Sequence, residues 1–187
     1  LNLDQTTLCS LASRLGSDIP FFINGGIQLC FGRGEILEKL NSNFKYGVLL
    51  LKNPKVTVST AETYKKYSNR FCDEDITSKE MINNTRKNLR DNGLNRLNSD
   101  NQHFTIKNDL QLVVENENDS VKQALDLLSQ LKNPLSFSMS GSGPTCFAIF
   151  KDVETAKQEL EANHKLFKDK GYDSWVCNLL EEGITFI

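Results

Sequence analysis

The sequence predicts an α+β fold, and three observations carry that expectation. Amphipathic stretches with apolar residues three and four apart alternate with short β-branched and aromatic runs. Glycine-rich corners separate strand-like segments, as in hairpins. The composition is that of a globular chain: of 187 residues, 39% are hydrophobic and 25% charged, with 11 Gly and 4 Pro. A chain of this length buries roughly 70% of its unfolded surface. That is enough for one domain, or a domain plus part of another, without disulfide or metal staples.

Taken in order, Leu8, Leu11, Ala12 and Leu15 have helical spacing, with Asp4 as N-cap and Gly16 as the stop. Asp18 or Ser17 can cap a second, short helix, and Pro20 suits its first turn. Asn24-Gly25-Gly26 leads into a strand at Ile27 to Phe31, and Gly32-Arg33-Gly34 turns it into another at Glu35 to Leu40. Tyr46 to Leu51 reads as a buried strand that ends at Asn53-Pro54. Ser59-Thr60-Ala61-Glu62 is a capping box opening a helix to about Tyr67, and Thr77-Ser78-Lys79-Glu80 opens another in the same way. The Asn-rich stretch from Asn83 to Asn101 reads as a loose connection that could hold a short helix. Val121, Ala124, Leu125, Leu128 and Leu131 mark an amphipathic helix ending at Asn133-Pro134. Strands follow at Leu135 to Met139 and Cys146 to Phe150, then a long helix from Val153 closed by Gly171, then a strand from Asp173 to Leu179.

Charge narrows the function. The chain has 22 Lys+Arg and 24 Asp+Glu, a net charge of -2, with none of the basic excess of nucleic-acid or anionic-membrane binders. Its apolar runs are far too short to cross a bilayer. Cys9, Cys30, Cys72, Cys146 and Cys177 are scattered and odd in number, which predicts free thiols in a reducing compartment. His103 and His164 are too few for a histidine-rich metal centre, and no metal ligands are assigned.

Two places can carry chemistry. In Leu15-Gly16-Ser17-Asp18-Ile19-Pro20-Phe21-Phe22, an acidic residue sits at a helix start. Ile19, Phe21 and Phe22 are expected to screen one side of it from water. A helix N-terminus favours the ionised carboxylate by about 0.3–1 kcal/mol. Asp18 could therefore be a proton acceptor, or no more than a helix cap. In Ser138-Met139-Ser140-Gly141-Ser142-Gly143-Pro144-Thr145, two glycines and several hydroxyls between strands can line up backbone N–H donors for an anion such as phosphate. The same residues also suit a tight hairpin that needs positive φ. No Gly-Lys-Ser/Thr follows, so this is not a Walker loop, and the spacing is not that of a dinucleotide fingerprint.

Together these segments resemble the GHMP kinase superfamily. The Leu15 to Phe22 stretch, Gly25-Gly26, Gly32-Arg33-Gly34-Glu35 and the glycine loop through Phe150 stand in the family's order. Lys52-Asn53-Pro54, Val58-Ser59-Thr60-Ala61 and Asn108-Asp109-Leu110 fall between them. The glycine loop is similar to the third motif of the whole superfamily. The Asp18 segment is similar to one branch, the kinases acting on cytidine diphosphate-linked methylerythritol in non-mevalonate isoprenoid synthesis. The resemblance implies a two-domain α+β fold, with 1–45 as the end of the N-terminal domain and 46–187 as a ferredoxin-like, substrate-side C-terminal domain. It implies ATP and Mg²⁺ as cofactors and Asp18 as the catalytic aspartate acting on the substrate hydroxyl. Thr60 and Tyr64 would meet the cytidine diphosphate end, with Tyr64 stacking on cytosine or simply lying half-buried on its helix. Gly141, Ser142 and Gly143 would form the phosphate loop. The implied location is the cytoplasm, or the plastid stroma of a plastid-bearing source.

Nothing here matches the family's amino-terminal catalytic lysine or its Pro/Gly/Ser-rich ATP loop. The chain is therefore expected to be a fragment of a longer kinase, inactive alone. Other readings remain: another GHMP kinase of mevalonate or homoserine type, or a non-catalytic nucleotide-binding relative.

Overall fold

A computed structural model describes residues 3–40, 45–71, 83–89 and 103–184. The expected helix start at Thr77 to Glu80, residues 90–101 of the Asn-rich stretch and Cys72 lie outside the described residues. The chain divides into two compact units: one draws on Leu1–Phe44, Asn83–Asn98 and Leu179–Ile187, the other on Lys45–Ile82 and Ser99–Asn178.

The first unit holds α1 (Gln5–Ser13), α2 (Ile19–Asn24), the hairpin β1 (Ile27–Phe31) and β2 (Ile36–Leu40), and a short helix α4 at 83–89. Asp4 caps α1 as expected, its carboxylate accepting from the Thr7 N–H at 2.9 Å. Strands β1 and β2 are antiparallel with Ile27 opposite Leu40 and Phe31 opposite Ile36. The α4 helix meets the hairpin through Arg86, whose guanidinium lies 4.2 Å from the Phe31 ring centre and 3.5 Å from the Glu38 carboxylate. Periodicity found α1 but not what covers it. Only Ala12 of that helix is buried, while Leu11 and Leu15 are 45% and 82% exposed.

The second unit runs β3 (Gly47–Lys52), α3 (Thr60–Phe71), α5 (Gln111–Glu117), α6 (Asp119–Ser129), β4 (Ser136–Met139), β5 (Cys146–Phe150), α7 (Val153–Asp169) and β6 (Asp173–Asn178). Its four strands are ordered β4-β5-β3-β6 and every neighbouring pair is antiparallel. A split β-α-β-β-α-β chain with this order is the ferredoxin-like arrangement. Alternation sorts each strand: Leu49 faces alongside Ala148, and Leu51 alongside Cys146. These side chains are fully buried together with Phe150, Met139, Leu128 and Phe167, under α6 and α7. Each such Leu or Phe contributes about 1.5–3 kcal/mol by leaving water. Leu50, opposite Trp175 and Phe147, faces the other side of the sheet, where Trp175 is 48% exposed.

Local signals explain the helix ends. Asn118 accepts from the N–H groups of Ser120 and Val121 at the start of α6. Asp152 accepts from Thr155 N–H at 2.7 Å at the start of α7, and Gly171 turns the chain out of it at φ +85°. Helix α3 runs four residues past the expected Tyr67. Helix α5 was not expected, and no element was assigned to its residues.

Candidate active site

In the first unit, Asp18 occupies the N-cap position of α2, but its side chain makes no capping hydrogen bond. Its backbone carbonyl accepts from Phe21 N–H at 3.2 Å, and Pro20, buried, fixes the first turn. The carboxylate is exposed, and among the described residues no cation pairs with it. The hairpin corner approaches it closely: a side chain at Gly34 would stand 3.5 Å from Asp18 Oδ1. On the same hairpin, burial and then the Asp18 charge push the Cys30 thiol up. The expected apolar screen is only partial. Ile19 and Phe22, three apart on a six-residue helix, are 37% and 64% exposed, because the helix buries its Pro20 side instead.

In the second unit, the turn from β4 to β5 and the start of α3 come together. Thr60 Oγ1 and Ser142 Oγ are hydrogen-bonded at 2.7 Å across 82 residues of sequence. Tyr64, four residues on and so on the same face of α3, holds its ring 58% exposed. Thr63, between them, is buried and donates to the Ser59 carbonyl at 3.0 Å, fixing that turn. The capping bond from Glu62 N–H to Ser59 Oγ is long, 3.4 Å.

The glycine loop is pinned at its base, where Ser140 N–H donates to Thr145 O at 2.8 Å and Gly143 N–H to Ser140 O at 2.9 Å. Gly141 and Gly143 take φ of +55° and +82°. Among the described residues the N–H groups of Gly141 and Ser142 have no acceptor. Among the described residues, no atom beyond its two chain neighbours lies within 4 Å of where a Gly141 side chain would start. Two successive donors without an acceptor among the described residues, beside two hydroxyls, suit phosphate oxygens. Among the described residues no group of His, Cys, Asp and Glu could hold a metal by itself. Nucleotide-bound Mg²⁺ needs only one or two carboxylates, with phosphates supplying the remainder.

Residues 83–169 match the family model described as GHMP kinases C terminal. Over those residues the chain is similar to the C-terminal domain of GHMP kinases. Among its relatives, a 4-diphosphocytidyl-2-C-methyl-D-erythritol kinase of Prochlorococcus marinus strain MIT 9301 is 81% identical over 187 residues, which is all of this chain and 60% of that protein. A kinase of the same name from strain SARG is 42% identical over 97% of this chain and 57% of its own length. The chain thus spans about 60% of the length of such relatives. A crystal structure of 4-(cytidine 5'-diphospho)-2C-methyl-D-erythritol kinase covers 95% of this chain with a TM-score of 0.60 at 22% identity. At that identity the likeness shows the fold alone.

Thr60, Tyr64, Gly141, Ser142 and Gly143 all belong to the second unit, and Asp18 to the first. Two residues that sequence reasoning left without a role also reach the loop. Asn108 Nδ2 donates to the carbonyls of Met139 at 2.7 Å and Gly141 at 2.9 Å. Gln111 Oε1 accepts from Met139 N–H at 2.9 Å and Ser138 Oγ at 3.0 Å. The one local signal is the Asn three residues before a helix start, whose Oδ1 accepts from Leu110 N–H at 3.1 Å.

Proposed function

We propose that this chain is the C-terminal part of a kinase that phosphorylates the 2-hydroxyl of 4-diphosphocytidyl-2-C-methyl-D-erythritol with ATP and Mg²⁺, in cytoplasmic isoprenoid precursor synthesis. In this reading 1–45 closes the N-terminal domain and 46–187 is the substrate-side domain. The observation that carries it is the Thr60–Ser142 bond of 2.7 Å, which joins the helix assigned to the substrate with the loop assigned to phosphate. The names of the most similar relatives favour the cytidyl substrate over mevalonate or homoserine.

Phosphoryl transfer depends on positioning and on neutralising charge. ATP supplies the phosphoryl group, and Mg²⁺ travels with its phosphates. The Asp18 carboxylate, uncommitted to capping, is free to accept the proton of the substrate hydroxyl as that oxygen attacks. The Gly141 and Ser142 N–H groups hold phosphate oxygens. Thr60 offers its hydroxyl to the diphosphate end, and Tyr64 its open face to cytosine.

Asp18→Asn in a kinase of the relatives' full length tests this. Loss of a general base typically lowers kcat by about 10²- to 10⁴-fold. Stability should hold, since no capping bond is lost. Near-full activity in the variant would refute the role of Asp18. Preference of the unaltered enzyme for mevalonate or homoserine would refute the substrate.

A further inference from the structure

We infer that Asn108 and Gln111 form a side-chain amide clamp that aims the N–H groups of the glycine loop, which makes Asn108 a positioning residue for the phosphate site. The inference rests on the kinase reading of that loop. Strand β4 is an edge of the sheet, so the outward backbone groups of Met139 have no neighbouring strand. Met139 pairs with Cys146 of β5 on one side only. On its other side both its N–H and its C=O are taken, the first by Gln111 Oε1 at 2.9 Å and the second by Asn108 Nδ2 at 2.7 Å. Two amides three residues apart, at the start of α5, thus stand in for a strand.

Asn108 does more than close the edge. Its Nδ2 also donates to Gly141 O at 2.9 Å. In a trans peptide the C=O and the following N–H point in opposite directions. Holding Gly141 O toward Asn108 therefore turns Ser142 N–H away from it, toward the open side of the loop. Gly141 has no side chain and, among the described residues, no contact at its Cβ position beyond its two chain neighbours, so little else opposes a flip of this peptide plane. Asn108 is itself fixed, because its Oδ1 accepts from Leu110 N–H at 3.1 Å and its Nδ2 has no alternative role. The charged groups around the clamp are partly engaged: Lys107 and Asp109 pair at 2.8 Å, and Glu115 accepts from Gln111 Nε2 at 3.1 Å. Residues 136–147 carry no charged side chain.

The test is Asn108→Asp in a kinase of full family length, read as the ratio of its kcat/KM to that of the unaltered enzyme across pH. An ionised carboxylate would face two carbonyl oxygens and repel them. Protonated, it can donate to one of them and restore part of the clamp. The expected ratio falls about tenfold per pH unit as pH rises through the titration of the new carboxyl, and recovers on acidification. Asn108→Ala, with no donor at any pH, should give a low and flat ratio. A pH-independent ratio for Asn108→Asp, high or low, overturns the inference. Should both variants fail to fold, NMR of the unaltered enzyme decides. Inorganic pyrophosphate should shift the Asn108 side-chain amide protons together with the Gly141 and Ser142 N–H resonances. Movement of the loop signals without Asn108, or of neither, overturns the clamp. An unaltered enzyme without kinase activity would refute the kinase reading instead, while the pyrophosphate experiment still reports on the clamp.

Discussion

Replacing each loop glycine by alanine separates the residues that hold the fold from those that face a ligand. Both Gly141 and Gly143 lie at positive φ, +55° and +82°. A left-handed backbone costs an L-residue about 1–2 kcal/mol. For Gly141→Ala that is the whole expected cost, because among the described residues no atom beyond its two chain neighbours lies within 4 Å of the added methyl. For Gly143→Ala the methyl would come within 2.7 Å of Met139 Sδ, and Met139 is 1% exposed in the core. Overpacking of that kind adds about 1–3 kcal/mol, for a total of roughly 2–5 kcal/mol. With a urea m-value of about 2 kcal/mol/M, the midpoint should fall by about 0.5–1 M for Gly141→Ala and about 1–2.5 M for Gly143→Ala. Equilibrium urea unfolding, with m unchanged, measures this. Function should rank the other way relative to stability: Gly141→Ala intrudes where phosphate is proposed to lie, so it should raise the ATP KM at least tenfold despite its mild folding cost. Equal midpoint shifts would refute the packing assignment. An unaffected ATP KM in Gly141→Ala would refute the phosphate assignment.

Two further outcomes are expected. Tyr64→Phe should leave the cytidyl-substrate KM nearly unchanged, whereas Tyr64→Ala should raise it roughly 5- to 150-fold, from about 1–3 kcal/mol of base stacking; equal effects of the two variants would exclude stacking. The Thr155 N–H beside Asp152 holds its carboxyl below the ordinary 3.8, so the stabilisation is present above that value and lost as pH falls through and below it. Asp152→Asn should therefore be less stable than the unaltered chain at neutral pH and converge with it in acid, as thermal unfolding across pH would report.

Local order was well written in the sequence. Asp4, Asn118 and Asp152 are caps because short polar side chains reach N–H groups two or three residues on, a property of neighbouring residues alone. The strands at Ile27, Gly47, Ser136, Cys146 and Asp173 announce themselves by apolar runs between Gly, Pro and Asn. Helix α5 carries no comparable signal: its valines favour strand by propensity, yet in the fold both Val113 and Val114 are buried on a helix. Burial was also beyond local patterns: Leu15 and Phe22 have the spacing of covered residues yet are 82% and 64% exposed.

For the site, composition and motif picked the loop and Asp18, and left each with a bland alternative. Tertiary structure bears on both choices. Asp18 sits at a cap position without capping, and among the described residues the N–H groups of Gly141 and Ser142 have no acceptor. What the sequence alone determined is whatever depends on residues within a turn or two of one another: periodicity, caps, glycine corners and the order of the motifs. What only the tertiary structure decided is contact across long separations. Thr60 meets Ser142 over 82 residues, and Asn108 reaches Met139 and Gly141 over 31 and 33. Such hydrogen bonds form only after the sheet has brought β4 beside α5 and α3, so they leave no period and no spacing in the chain from which to read them.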